Sequence, residues 1–249
     1  MRVLALDTTA RAGSVALVID DGAPRIVDER AGDASRTHGE RLPGELIAIL
    51  KTHDLSVADA DLFAVASGPG SFTGLRIGIA TMQGLAVVRR RPLAGVSALA
   101  ALGHLGSRSL EPGARVGAWI DAQRGEVFAA LYEIAAHEVF DTRRLVEIDA
   151  ATASSPAETI ARWRSLGLPA LILGDGAERY ETIVRTSGAR VESTPRLAGA
   201  IGALAAAESR EGRSPSPAAI RPLYVRRPDA ELAREHALAD RTADVSRSD

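Results

Sequence analysis

LALDTTARAGSVAL, residues 4–17, reads as a β-strand ending in an aspartate, a tight polar turn and a second strand. The apolar runs Val3–Leu6 and Ser14–Ile19 flank the turn Thr8–Gly13, the pattern of an antiparallel hairpin. Asp20–Pro24 then turns the chain into a third strand at Arg25–Asp28. A helical pattern follows, with Leu42, Leu46, Ile49 and Leu50 on one face and Pro43 in the first turn, where proline is tolerated. Leu62–Ala66 reads as a strand, SGPGS as a turn, and Thr73–Arg90 as a long helix rich in small residues. The order is β-β-β-α-β-α.

Beyond Pro112 and Gly113 the order recurs. Arg115–Ile120, Glu126–Tyr132 and Leu145–Ile148 read as strands, Pro156–Leu166 as a helix, Ala170–Leu173 as a strand and Arg196–Ser209 as a helix. The halves share almost no residues, yet the first strand of each ends in an aspartate, Asp7 and Asp121, before a hairpin. A β-β-β-α-β-α unit used twice resembles the actin/Hsp70/sugar-kinase (ASKHA) superfamily. That is a duplicated ribonuclease-H-like α/β fold with nucleotide in the cleft between the halves. The expected organisation is an N-terminal half over 1–105, a C-terminal half over 106–228, and a polar tail over 229–249 that is expected to be poorly ordered.

The chain has 249 residues, 46% hydrophobic and 25% charged, an ordinary globular balance. Only 4% are aromatic, so the core must be aliphatic. With no cysteine, disulfides, thiol catalysis and cysteine-ligated zinc are excluded. The opening MRVLALDTTA has no signal-peptide pattern and no run reaches membrane-spanning length, so a cytoplasmic protein is expected. A net charge of −2 argues against a general polyphosphate-binding surface. The basic clusters Arg89–Arg91 and Arg226–Arg227 read as a solvated helix end and tail. Lys51 is the sole lysine, and no P-loop is present.

Asp7 and Thr8 have two readings: a turn whose N–H groups face phosphate while the carboxylate orders hydrated Mg²⁺, or a strand end closing on itself. Gly68, Gly70 and Gly74 permit a tight strand-to-helix turn with Ser71 or Thr73 as cap. Gly78, Ala80, Gly84 and Ala86 keep the helix thin, although each interior Gly costs about 1 kcal/mol relative to Ala. Close approach by another helix or subunit, or tight packing within the chain, would offset that. Gly174 and Gly176 resemble the adenosine-contacting loop of actin-like proteins, or form an ordinary strand-to-helix turn. The candidate remnant of a nucleotide cleft is therefore Asp7, Thr8, Gly68, Gly70, Asp121, Gly174 and Gly176. His38 with Glu40 is an acid–base candidate, or a solvated helix start; Asp121, Arg124 and Glu126 form a site, or a polar hairpin.

SGPGSFTGLRIG (67–78) and LALDTT (4–9) resemble the TsaB family. THGERLPGEL (37–46), IDAQRGEVFAALY (120–132), LILGDGAERY (171–180) and PLYVRR (222–227) agree with it and fall in the family's order. The likeness covers most of residues 2–227; Gln123 and Phe128 stand where Arg and Tyr are expected. It implies a non-catalytic scaffold subunit needed to form threonylcarbamoyl-adenosine on tRNA. Such a subunit binds and activates a TsaD-like catalytic subunit and helps recruit a TsaE-like P-loop ATPase. Homodimerisation through the same surface is the alternative, and tRNA is reached through the complex. The resemblance implies no required cofactor; ATP or ADP at a cleft or subunit interface is left open. TsaD-like enzymes hold a metal with two histidines four apart, and here Ser97 and Ala101 occupy those places. No two of His38, His53, His104, His137 and His236 are four apart, so no metal site is expected.

The expected partner-binding residues are Leu42, Leu46, Leu75, Gly78, Ile79 and Met82, with the outward stripe undecided. Two other readings compete. An actin-like ATPase or phosphotransferase would need Asp121 as its second carboxylate. A ribonuclease-H-type nuclease would use Asp7 with Glu40 or Glu45, but lacks a third acid at Ser67–Gly68.

Overall fold

The computed structural model describes residues 1–213 and 216–226. Strands β1 (Arg2–Asp7), β2 (Ser14–Asp20) and β3 (Pro24–Ala31) lead into helix α1 (His38–Lys51). β4 (Leu62–Gly68), α2 (Phe72–Arg89), β5 (Leu93–Ser97) and α3 (Ala98–Gly106) follow. The second series is β6 (Arg115–Gln123), β7 (Glu126–Ile134), β8 (Leu145–Ser154), α4 (Pro156–Leu166) and β9 (Leu171–Leu173). It ends with the short α5 (Asp175–Arg179) and α6 (Glu181–Thr186), then β10 (Arg190–Glu192) and α7 (Ala198–Arg210).

The two five-stranded sheets have the orders β3-β2-β1-β4-β5 and β8-β7-β6-β9-β10, the same topology twice. In each, the first three strands are antiparallel and the last two join parallel to the first. This is the duplicated ribonuclease-H-like fold read from the sequence, with a correction. The first unit runs on to a fifth strand, β5, and a further helix, α3; in the second, the short α5 and α6 and the strand β10 stand between β9 and α7, the helix read at Arg196–Ser209. Three- and five-residue strands carry too little periodic signal to be separated from loop. Arg227 and the tail expected over 229–249 lie outside the described residues. No helix among the described residues is long and apolar enough to cross a membrane.

Strands β1 and β4 read as unbroken apolar runs because helices cover both sheet faces. On one face of the first sheet, α1 and α2 bury Leu42, Leu46, Ile49, Leu50, Ile79, Met82 and Ala86 against Leu4, Leu6, Val15, Phe63 and Val65. On its other face lies α7, which packs across all five strands of that sheet although it comes late in the chain. Ten consecutive residues, Ala198–Ala207, are buried. A helix apolar on every side must be covered on every side. Helix α3 lies beside α7 and packs chiefly on the second sheet, so one core runs from sheet to sheet through both helices. The outer face of the second sheet carries α4 and the tilted pair Trp119–Trp163, with ring centroids 5.8 Å apart.

This packing corrects the expected partner-binding set. Leu42, Leu46, Leu75, Gly78, Ile79 and Met82 are all buried inside the chain, none above 4% exposed among the five apolar side chains. The strongest apolar stripe on a helix is the one its own sheet covers, and the periodicity had picked out that stripe.

Two outcomes follow. At Gly202 a β-carbon would stand 2.7 Å from Val18 Cγ2 and 3.0 Å from Ala5 Cβ. Gly202→Val is therefore expected to lower unfolding free energy by about 3 kcal/mol through overpacking, read by urea denaturation. His104 is 3% exposed, and its Nδ1 accepts from the Phe140 N–H at 3.3 Å. Burial first, then the Arg144 guanidinium, push its pKa down to about 4, with Asp141 opposing. A pKa below the unfolded value means that this contribution is complete above about pH 6.5 and is lost as pH falls towards 4. The total is about 3 kcal/mol. The wild type should lose more stability between neutral pH and about pH 5 than His104→Gln does; equal losses would place the acid sensitivity elsewhere.

Candidate functional site

The first hairpin turn closes on Asp7. One carboxylate oxygen accepts from the Thr9 N–H at 2.8 Å and the Thr9 hydroxyl at 2.7 Å. Asp7 is 5% exposed, and burial raises its pKa against those bonds, with the Glu29 and Asp175 carboxylates adding to the rise. The turn is pressed onto α2. The Ser71 N–H donates to Thr9 O at 2.8 Å, and β-carbons at Gly74 and Gly78 would stand 2.2 Å from Thr8 O and Thr8 Oγ1. These two glycines are explained by packing within the chain. Ser71 caps α2, its hydroxyl accepting from the Gly74 N–H at 3.2 Å.

Helix α1 contributes a latch that the sequence reading missed. Arg41 is 2% exposed; it pairs with Glu45 at 2.6 Å and donates to the backbone oxygens of Ala12 and, at 3.2 Å, Arg11. His38 Nδ1 lies 2.7 Å from the same guanidinium, and burial followed by that charge lowers the His38 pKa. Glu40 accepts from the Thr37 N–H at 2.8 Å and the Thr37 hydroxyl at 2.6 Å, so it caps the helix rather than serving His38 as an acid–base partner. The signal for Arg41 was a charge beside Leu42 on the covered side of α1, with an acid four residues on.

In the second half, Asp121 is fully engaged. It pairs with Arg179 at 2.9 Å and accepts from the Gln123 N–H at 3.1 Å and the Gln123 amide at 2.7 Å. Glu126 pairs with Arg226 at 2.9 Å. Asp121, poised as a second catalytic carboxylate in the ATPase reading, is instead neutralised. Asp175, unremarked in the sequence, is raised in pKa chiefly by burial and accepts from the Asp121 N–H at 2.9 Å.

The hairpins, the Pro69–Gly74 turn and the segment Leu223–Arg226 enclose a cavity of about 1010 Å³. Gly70 and Asp121 line it, as do Thr9, Arg11, Arg36, His38, Phe72 and Tyr224. A second cavity of about 190 Å³ is lined by Asp7, Asp175, Thr194 and Arg196. Of the proposed nucleotide-cleft remnant, Thr8 and Gly68 line neither. Thr8 lies under α2, and Gly68 faces the Leu223 backbone. Gly174 and Gly176 also line neither: β-carbons there would stand 2.0 Å from Trp119 O and 3.0 Å from the Ile120 carbonyl carbon. They let α5 press on β6, which accounts for the G-x-G without an adenosine. Among the described residues no group of three His, Cys, Asp or Glu is placed to hold a metal.

A family model described as TsaD, tRNA N6-adenosine threonylcarbamoyltransferase, matches residues 31–159. The tRNA threonylcarbamoyladenosine biosynthesis protein TsaB of Escherichia coli is 41% identical over 133 residues, 53% of this chain and 55% of that protein. The match thus spans about half the length of that relative. An uncharacterized protein of Mycobacterium tuberculosis is 31% identical over 232 residues, 92% of this chain and 93% of its own. The solved structure of YeaZ from Pseudomonas aeruginosa superposes with a TM-score of 0.71 at 26% identity, covering 90% of this chain and 99% of that one. The family model covers just over half of the chain, the mycobacterial relative aligns along nearly all of it, and the sheets repeat one topology: the chain belongs to the TsaD family, on its TsaB branch.

Proposed function

We propose that this chain is an accessory subunit in the formation of threonylcarbamoyl-adenosine on tRNA. It binds and activates a TsaD-type transferase without performing the transfer itself, and it helps recruit a TsaE-type ATPase. The names of the TsaB relatives supply the reaction. The outward face of α1 and α2 is the observation that carries the role.

The two helices lie side by side. Away from the sheet they present Pro43, Gly44, Ile47 and Ala48 from α1, and Ala80, Gly84, Val87 and Val88 from α2. Val87 and Val88 are 62% and 79% exposed, and Ile47 is 45% exposed. A β-carbon on Gly44 or Gly84 would meet nothing within 4 Å among the described residues, so packing among them explains neither glycine. Each forgoes about 1 kcal/mol relative to alanine. A partner's helix pair pressed close against this face would form an apolar four-helix contact and offset that loss. A second copy of the chain is the competing occupant.

The transfer chemistry is assigned to the partner because of the donor set here. Ser97 caps α3, accepting from the Ala100 N–H at 3.3 Å, and Ala101 is wholly buried. Neither supplies an imidazole where TsaD-like enzymes carry their histidine pair. The nucleotide-hydrolase reading has less support, since Arg179 already pairs with Asp121.

The test combines binding with a modification assay in which each subunit is omitted in turn. Ile47→Glu and Gly84→Glu should leave melting nearly unchanged and weaken binding to a cognate TsaD-type subunit by about 2 kcal/mol or more, roughly thirtyfold. Met82→Glu should instead lose the fold, because Met82 is 0% exposed. Wild-type affinity in both outward variants would remove this face as the interface, and modified adenosine formed without the TsaD-type subunit would overturn the accessory role.

A further inference from the structure

The segment Ile220–Arg226 lies across the start of α2, and its contacts do more than hold a chain end. The Leu223 N–H donates to Ser67 O at 2.7 Å, and the Gln83 amide donates to Pro217 O at 2.9 Å and Ile220 O at 3.2 Å. Those bonds, with Ile220 buried in the core, fix the backbone. They do not require an exposed aromatic ring at Tyr224, yet one is there. Tyr224 is 40% exposed and Phe72 41%; their centroids are 5.2 Å apart, and both rings line the 1010 Å³ cavity. Arg76 stacks over Phe72 at 3.9 Å and donates from Nε to the Tyr224 hydroxyl at 2.9 Å.

The charge around these rings is unbalanced. Arg11 and Arg36 line the same cavity and reach only backbone oxygens, of Ala34 and Glu40. Among the described residues Arg11, Arg36 and Arg76 form no ion pair; Asp33 and Glu40 feel Arg36 only at longer range. The acids in the cavity wall do not compensate. Asp121 is taken by Arg179, and Asp175, its pKa raised chiefly by burial, accepts from the Asp121 N–H at 2.9 Å instead of pairing with an arginine. In a chain of net charge −2, three uncompensated guanidiniums beside two exposed rings form a local feature of opposite sign.

Aromatic rings that stack bases, beside arginines that meet the backbone, are the chemistry of single-stranded nucleic-acid recognition. We propose that the rim formed by Phe72, Arg76 and Tyr224, with Arg11 and Arg36 behind it, binds a single-stranded RNA segment. The bases stack at the rings and the phosphates face the guanidiniums. The choice of RNA over another polyanion rests on the proposed role in tRNA modification, and it adds to that role a direct contact between this chain and the RNA.

The test uses the full chain alone and a fluorescein-labelled single-stranded RNA of mixed sequence, about a dozen nucleotides long, read by anisotropy. Three phosphate contacts predict an affinity falling with roughly the second power of salt concentration. Tyr224→Ala should weaken binding about tenfold or more, whereas Tyr224→Phe, which keeps the ring, stays near wild type. Arg11→Glu with Arg36→Glu should weaken it further and flatten the salt dependence. Melting curves of each variant separate lost binding from lost fold. Should Tyr224→Ala fail to fold, Arg36→Glu alone carries the test, since Arg36 is an exposed loop residue. A mononucleotide binding as tightly as the RNA would replace the strand with a small-molecule site. An acidic peptide competing equally would reduce the site to a general polyanion contact. Undetectable RNA binding, or binding indifferent to all these variants, would overturn the proposal. The readout is independent of partner assembly: a chain that activates a TsaD-type subunit without binding RNA sinks only this inference, and the reverse result sinks only the proposed role.

Discussion

Helix α7 can lie between two sheets only because almost nothing projects from it. Its buried run of Ala, Gly, Ile and Leu brings the helix backbone against Ala5, Val18 and Ile26 of the first sheet, with α3 alongside. Both sheets depend on this contact, since α7 covers the first and α3 covers much of the second. Bulkier residues would force the sheets apart and open the shared core, whose interior packing tolerates little change in volume. The relation between the two hairpins ending in Asp7 and Asp121, and hence the shape of the cleft, follows from that spacing.

Helix α2 works on three sides at once. Its inner stripe, Ile79, Met82 and Ala86, belongs to the core. Its first turns accept the Thr8–Thr9 loop so closely that Gly74 and Gly78 have no room for side chains. Its outer side carries Ala80, Gly84, Val87 and Val88, all exposed among the described residues. A shift of α2 imposed by a partner on the outer side would therefore reach the cleft loop through Thr8, and the rim through Phe72 and Arg76. The cleft wall and the proposed partner face are two sides of one rigid element.

The cavity does not gather the candidate nucleotide-cleft residues into one set: Thr8, Gly68, Gly174 and Gly176 lie outside its lining. Asp7 bonds its own turn, Asp121 is neutralised by Arg179, and Gly174 and Gly176 are consumed by packing of α5 on β6. The uncompensated charge sits nearer the mouth, on Arg11, Arg36 and Arg76, beside the rings of Phe72 and Tyr224.

Much of this was legible in the sequence, for a definite reason. Strand alternation, hairpin turns and the amphipathic stripe of α1 are local patterns, and they determined a duplicated β-β-β-α-β-α plan with Asp7 and Asp121 at matching strand ends. The motifs from LALDTT to PLYVRR likewise carried the family. Short elements such as β5 and β10 left less trace, because three to five residues hold little period. The site residues depended on what long-range packing placed opposite each side chain. Sequence showed that Gly74, Gly78, Gly84, Gly174 and Gly176 were unusual, but only the tertiary structure separated those pressed against the chain's own backbone from Gly84, which faces open space. It alone set Leu42, Ile79 and Met82 inward and Ile47, Val87 and Val88 outward, since a stripe's period is the same whichever surface covers it. Arg76 and Tyr224 are 148 positions apart, a separation at which no local pattern survives, and folding alone brought them together.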